Sequence, residues 1–256
     1  MRQQKSVSDS YQDIFEQRAD TYHEAMTLYP NARDAEFEAV VNFARLSPGS
    51  IVADIPSGGG YLERYLGDVA KAIIAVEPAE QFFLRCDETQ RLRKVFSPLE
   101  ALAIDEQSIN AIISLAGLHH VADRDRVFRE LHKALVPVGT LCIADVRLGS
   151  TVDSFLNVFV HEHNSMGHEG WFIDEDFKQA LTSAGFAVEQ NEVIEYSWNF
   201  QNAEAMVQYC ILMFGLDQAT PDNVLSGIEQ HLGYTTDDTG CHMNWELEFL
   251  RCSRQT

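Results

Sequence analysis

Five short runs rich in Val, Ile and Leu punctuate the first part of the chain: "IVADI" (51–55), "AIIAVE" (72–77), "KVF" (94–96), "NAIISL" (110–115) and "TLCIADV" (140–146). Longer segments of helical period separate them, among them "YLERYLGDV", "AEQFFLRCDE" and "DRDRVFRELHKALV". The last places Val127, Phe128, Leu131 and Leu135 along one face, as a helix packed on a sheet requires. Strands apolar on both faces belong in a parallel sheet covered by helices on both sides. The alternation therefore predicts an α/β fold, doubly wound around a mostly parallel sheet.

The pattern changes after Val146. A His-rich stretch, "FVHEHNSMGHEGWF", is followed by a predicted helix, "DEDFKQALTSAGF", and a long strand-like run, "AVEQNEVIEYSWNF". Helical segments around 204–214 and 223–231 precede a last alternating stretch, "CHMNWELEFLRC", which makes seven strands in all. The helical pair reads as an insertion, 202–235, between the last two strands. Its apolar residues (Met206, Val207, Ile211, Leu212, Met213, Phe214) suit either a lid over the ligand edge or packing against the core. At 256 residues, without a linker or repeat, the chain reads as one domain: a helical cap (1–47), a cofactor-binding core (48–147), and an acceptor-side loop, the last strands and the helical insertion (148–256).

Charge narrows the partners. With 19 Lys+Arg against 39 Asp+Glu the net charge is -20, which repels nucleic-acid backbones and anionic lipid surfaces. The five cysteines are scattered without a CxxC pair and read as reduced thiols. "MRQQKSVSDSYQDIF" lacks the apolar core of a signal peptide, and no window reaches the about 20 apolar residues of a membrane span. A cytoplasmic protein is expected, monomeric or homodimeric, with neither nucleic acid nor membrane as partner.

The loop after the first strand, "DIPSGGGYLE", limits the ligand. Gly60 is followed by Tyr61-Leu62 rather than the Lys-Ser/Thr pair of a phosphate-cradling loop. A dinucleotide fingerprint starting at Gly58 and Gly60 would need its third glycine at Glu63, whose charge opposes a pyrophosphate, so NAD and FAD are not expected. Asp54 and Glu77 stand at the ends of the first two strands, where an acid can accept hydrogen bonds from ribose hydroxyls. A cationic nucleoside without phosphate, such as S-adenosylmethionine, tolerates both acids.

With "VADIPSGGGYL", "AVEP", "EALAIDEQSINAIISLAGLHHV", "FRELHKALVPVGTLCIADV" and "FIDEDFKQALTSAGF" in this order, the chain resembles the class I S-adenosylmethionine-dependent methyltransferases over residues 11–200. Phe15, Ala19 and Tyr22 match the spaced F…A…Y that often precedes that domain. The resemblance implies a Rossmann-like fold and methyl transfer from S-adenosylmethionine, leaving S-adenosylhomocysteine, to a small-molecule acceptor. The alternative is a protein that binds this cofactor but performs other chemistry or regulates.

Carried over residue by residue, the resemblance gives Asp54 the methionine amino group or the loop's order, and lets the backbone at Ser57, Gly58 and Gly60 pass close to the cofactor. Glu77 grips the ribose beside Pro78 at the adenine, the Leu115 carbonyl faces the methionine end, and Tyr22 closes over the cofactor. Two departures stand out. Pro56 replaces the first glycine, and Pro98 stands where relatives carry an adenine-binding acid, leaving Ser97 or the Leu99 amide to substitute.

For the acceptor, His161, His163 and His168 follow the fifth strand, and His119 and His120 end the fourth. Three roles compete for the first group: orienting or deprotonating the acceptor, holding a metal, or local capping. The His-x-His-x4-His spacing is loose and lacks a second cluster, so no metal is expected. The expected catalytic set is His163, His168, His161 and His119. Arg33 is placed either to pair with a ligand carboxylate or with Glu36 or Glu38 along a helix.

Overall fold

The computed structural model describes residues 11–255, so the first ten residues of the expected cap lie outside it. Five strands run parallel: β1 (Ser50–Asp54), β2 (Ala70–Glu77), β3 (Leu92–Phe96), β4 (Ile109–Leu115) and β5 (Leu135–Asp145), in the spatial order β3-β2-β1-β4-β5. The sheet continues antiparallel, with β8 (Gly240–Arg254) between β5 and β6 (Phe186–Phe200). All seven expected strands form. An eighth, β7 (Tyr234–Asp237), pairs with β8 through a tight return from Asp237 to Gly240. Its polar, largely exposed "YTTD" carries no apolar alternation, which is why it read as the tail of the helical insertion.

Residues alternate faces along each strand, so the continuously apolar runs feed two cores. Val52, Ile73, Ile113 and Cys142 face one layer; Ala53, Ile74, Ile112 and Ile143 face the other. The second layer is closed by α5 (Arg124–Ala134) and α8 (Glu175–Ser183), where the rings of Phe128 and Phe177 meet at 5.2 Å. The first is closed by α2 (Asp34–Ala44) and by α9 (Ala203–Phe214) and α10 (Pro221–His231), the helical pair between β6 and β8. Two short helices, α3 (Glu63–Leu66) and α4 (Glu80–Arg85), link β1 to β2 and β2 to β3. The long α1 (Tyr11–Leu28) lies across α4 and α9.

One expectation is corrected. The segment after β5 reads as a loop, yet 151–163 is helical: α6 (Thr151–Ser154), a π-helical turn (Phe155–Val160) and α7 (His161–His163). Ser150 caps it, accepting a hydrogen bond from the Asp153 amide at 3.0 Å, and Val152, Phe155, Leu156, Phe159 and Val160 bury one face. No helix among the described residues is long and apolar enough to cross a membrane.

Candidate active site

The chain builds outward from β1 through β2 to β3, then returns to start β4 on β1's other side. The loops leaving β1 and β4 therefore diverge at the carboxyl edge of the sheet, where open α/β sheets hold ligands. Asp54, Pro56, Ser57 and Gly58 face Leu115, Ala116 and Gly117 across this crevice, and α1 roofs it with Tyr11, Phe15 and Tyr22. Pro56, after a cis peptide bond, packs on Gly117, where a Cβ would sit 2.5 Å from the ring's Cγ. Proline in one loop thus requires glycine in the other.

Asp54 is 5 % exposed and its carboxyl has no hydrogen bond or ion pair to a described residue; burial pushes it up to about 8. An unpaired acid in a desolvated crevice fits a positively charged ligand, which restores its ionised form. Glu77 is fully buried and accepts hydrogen bonds from the Gly58 amide (2.7 Å), the Ala79 amide (2.9 Å) and the Tyr11 hydroxyl (3.2 Å). Burial pushes it up to about 8, against the pull of these donors. Tyr11 holds the carboxylate oxygen that also takes Gly58, so a ribose hydroxyl at Glu77 would meet Tyr11.

Ser57, Gly58, Leu115 and Tyr22 line the crevice, while Gly60, Pro78 and Leu99 do not. Gly60, at φ +77°, makes its close approach to Cys86, whose Sγ would lie 2.6 Å from an added Cβ. Leu99 is packed in the second core with Ile55 and Ile74, and Pro78 is buried beyond Glu77. Ser97 closes its own loop, donating to the Ala101 carbonyl (3.0 Å) and accepting from the Ala103 amide (2.9 Å). The sequence reading passed over Phe82 and Tyr61, ring walls of the crevice that no motif marks.

A second cavity adjoins the first, with Phe15, Tyr22, Arg33 and Ala116 common to both. Ala116 sits there at φ +49°, a conformation costly for a residue with a Cβ, held by its amide donating to the Ala144 carbonyl (2.8 Å). His119, His120 and His168 line the second cavity. Asp145 fixes His119 twice: its Oδ1 lies 2.6 Å from the ring Nδ1, and its Oδ2 accepts the His119 amide at 3.1 Å. With Nδ1 bound to the carboxylate, the ring's other nitrogen, Nε2, has no hydrogen bond to a described residue. His168 Nδ1 is held by Asn157 Oδ1 at 3.0 Å. Burial first, and the neighbouring imidazoles with Arg18 next, hold His120 and His168 well below the usual histidine range, so both are neutral. These three rings place nitrogens within 4.8 Å of one another, a set able to ligate a metal ion, and it is a different trio from the one spaced along the sequence.

His161 and His163 do not line the cavity. Helical geometry, about 100° per residue, turns side chains two apart to nearly opposite faces. His161 donates from Nδ1 to the His168 carbonyl at 2.8 Å and so shapes the loop that delivers His168. His163 donates to the Phe159 carbonyl at 2.9 Å, its ring stacked on Phe159 at 4.3 Å. Of the four histidines expected to be catalytic, His119 and His168 line the cavity and His161 and His163 do not, while His120 joins the first two there. Arg33 is paired with Glu36, whose second oxygen accepts from Tyr196 (3.0 Å) and Trp198 (2.9 Å), while Arg33 Nη1 donates to the Tyr22 hydroxyl at 2.5 Å.

Residues 53–143 match the methyltransferase domain family. Among solved structures, an S-adenosylmethionine-dependent methyltransferase of Thermotoga maritima is 16% identical, with 96% of this chain and 100% of that one covered at a TM-score of 0.63. The [4+2]-cyclase SpnF is 13% identical, covering 100% of both chains at 0.65. A phosphoethanolamine N-methyltransferase of Haemonchus contortus, in complex with phosphomonomethylethanolamine and S-adenosylhomocysteine, is 14% identical, covering 97% of this chain and 61% of that one at 0.64. Over residues 53–143 the chain carries a methyltransferase domain, an enzyme domain whose cofactor is S-adenosylmethionine, built on the class I fold.

Proposed function

We propose that this enzyme methylates a small-molecule acceptor held in the cavity beside the Asp54 crevice, with His119 as the base. The observation that carries this reading is the His119–Asp145 pair, buried and facing a cavity that meets the cofactor crevice at Ala116. When bound, S-adenosylmethionine supplies an electrophilic methyl group on a sulfonium sulfur. Asp54 is placed to balance the ammonium at the methionine end of the cofactor. Ala116, small and set between the cavities, leaves the path from one to the other open. Phe15 and Tyr22, from the α1 roof, exclude water from both sides of it. The acceptor's proton passes to His119 Nε2, and Asp145 stabilises the imidazolium that results. His168, kept neutral and tied to Asn157, is placed to orient the acceptor by hydrogen bonding.

The test is release of S-adenosylhomocysteine over a panel of small acceptors. General-base catalysis is worth about 10²–10⁴-fold, and His119→Gln is expected to lose turnover by that factor while binding S-adenosylhomocysteine as the parent does. Undiminished turnover in His119→Gln would remove the base from this account. Cofactor binding with no methylated product across the panel would instead support other chemistry on the same site.

A further inference from the structure

The acceptor cavity has an imbalance of hydrogen-bonding groups. Its carboxylate, Glu36, is saturated by Arg33, Tyr196 and Trp198. Two of its donors are not. Arg18 donates from Nη2 to the Met213 carbonyl (2.7 Å), but its Nε is buried without an acceptor among the described residues, and the side chain makes no ion pair with any of them. Asp217, whose charge reaches Arg18, is already bound by the Ser165 amide and hydroxyl. Trp245 stacks on Trp198 at 4.1 Å; the Trp198 indole N–H is satisfied by Glu36, while that of Trp245 is buried with no acceptor among the described residues.

A buried donor left unmade is costly, more so a charged one, and two such donors on side chains that line one cavity call for an acceptor group from outside the chain. In the neighbouring crevice the buried Asp54, without an ion pair to a described residue, carries the opposite sign. We infer that the methyl acceptor carries a carboxylate, seated on Arg18 and the Trp245 indole N–H, with an apolar body against Trp198 and Phe214. This deepens the reading above and rests on it. A planar monoanion suits a site with one guanidinium and one indole donor between stacked rings; a phosphate dianion would ask for more donors than these. His120 and His168, neutral beside Arg18, add no second cation to the site.

The experiment titrates the full chain, with and without saturating S-adenosylhomocysteine, with acetate, benzoate and phenylacetate, with their amides, and with inorganic phosphate. Calorimetry and tryptophan fluorescence report binding. At least one acid is expected to bind about tenfold or more tightly than its amide, a difference a hydrogen-bonded charge readily supplies. Arg18→Gln should abolish that preference, Arg18→Lys restore part of it, and Trp245→Phe, which keeps the ring, weaken it several-fold. All three variants should bind S-adenosylhomocysteine within a few-fold of the parent. Equal affinity for acid and amide, a preference that survives Arg18→Gln, no acid binding up to about 50 mM, or tighter binding of phosphate would each overturn the inference. Failure of S-adenosylhomocysteine itself to bind would fall on the methyltransferase reading, since the acids are also titrated without it.

Discussion

Asp54 shows how one side chain couples ligand, charge and stability. Its pKa is raised from about 3.8 to about 8 in the fold, and Glu77 behaves alike. Between those values the folded protein holds protons that the unfolded chain gives up, so stability falls as pH rises from about 4 to about 8. The melting temperature of the cofactor-free protein is expected to drop across that range, and Asp54→Asn to flatten the slope. A melting temperature that rises towards pH 8, or an unchanged slope in the variant, would contradict the assignment. Histidines give a second contrast: His163→Ala should keep turnover within a few-fold, since His163 contacts Phe159 rather than the cavity, whereas Asp145→Asn should lose it with His119. The sequence displayed these imidazoles but not their directions. Nothing in "VHEHNSMGHEGWF" says that a helix ends at His163, and that boundary decides which rings reach the cavity.

At the scale of elements, α1 is the part placed to re-seat when ligand enters. The crevice and the adjoining cavity have free volumes of about 50 and 60 Å³, room for a few waters and not for a nucleoside. Tyr11 and Phe15 from α1 fill the difference, Tyr11 on the Glu77 carboxylate and Phe15 against Phe82 at 5.0 Å. Deuterium exchange across 11–28 should therefore change on saturation with S-adenosylhomocysteine, as the helix re-seats over the ligand; identical exchange would mean that α1 is no lid. Because Tyr11 competes for Glu77, Tyr11→Phe should tighten S-adenosylhomocysteine a few-fold, and weaker binding would mean that Tyr11 supports the ligand instead. The strands were legible because a buried parallel sheet writes itself as continuous apolar runs. β7 and α6 were not: β7 is held by its turn into β8, and α6 with its π-helical turn by burial against β8 and α10, neither by a local pattern alone.

At the scale of the molecule, the strand order places the β1 and β4 loops together, and their fit is tight. Gly117→Ala would drive a Cβ into the Pro56 ring, and overpacking of this kind costs about 1–3 kcal/mol. A lowered melting temperature with weakened cofactor binding is expected, since both loops line the crevice; an unperturbed variant would show that the two loops are not locked. Fold alone does not settle chemistry, for a [4+2]-cyclase shares this architecture over its whole length. What sets this chain apart is two adjoining cavities lined by groups of opposite sign without an ion pair to a described residue, Asp54 in one and Arg18 in the other. Calorimetric titration with S-adenosylhomocysteine, whose methionine end carries the ammonium that Asp54 would meet, tests this most directly. One equivalent should bind, with affinity at least about tenfold weaker in Asp54→Asn. No heat at about 1 mM ligand, or an Asp54→Asn variant that binds as tightly as the parent, would contradict it.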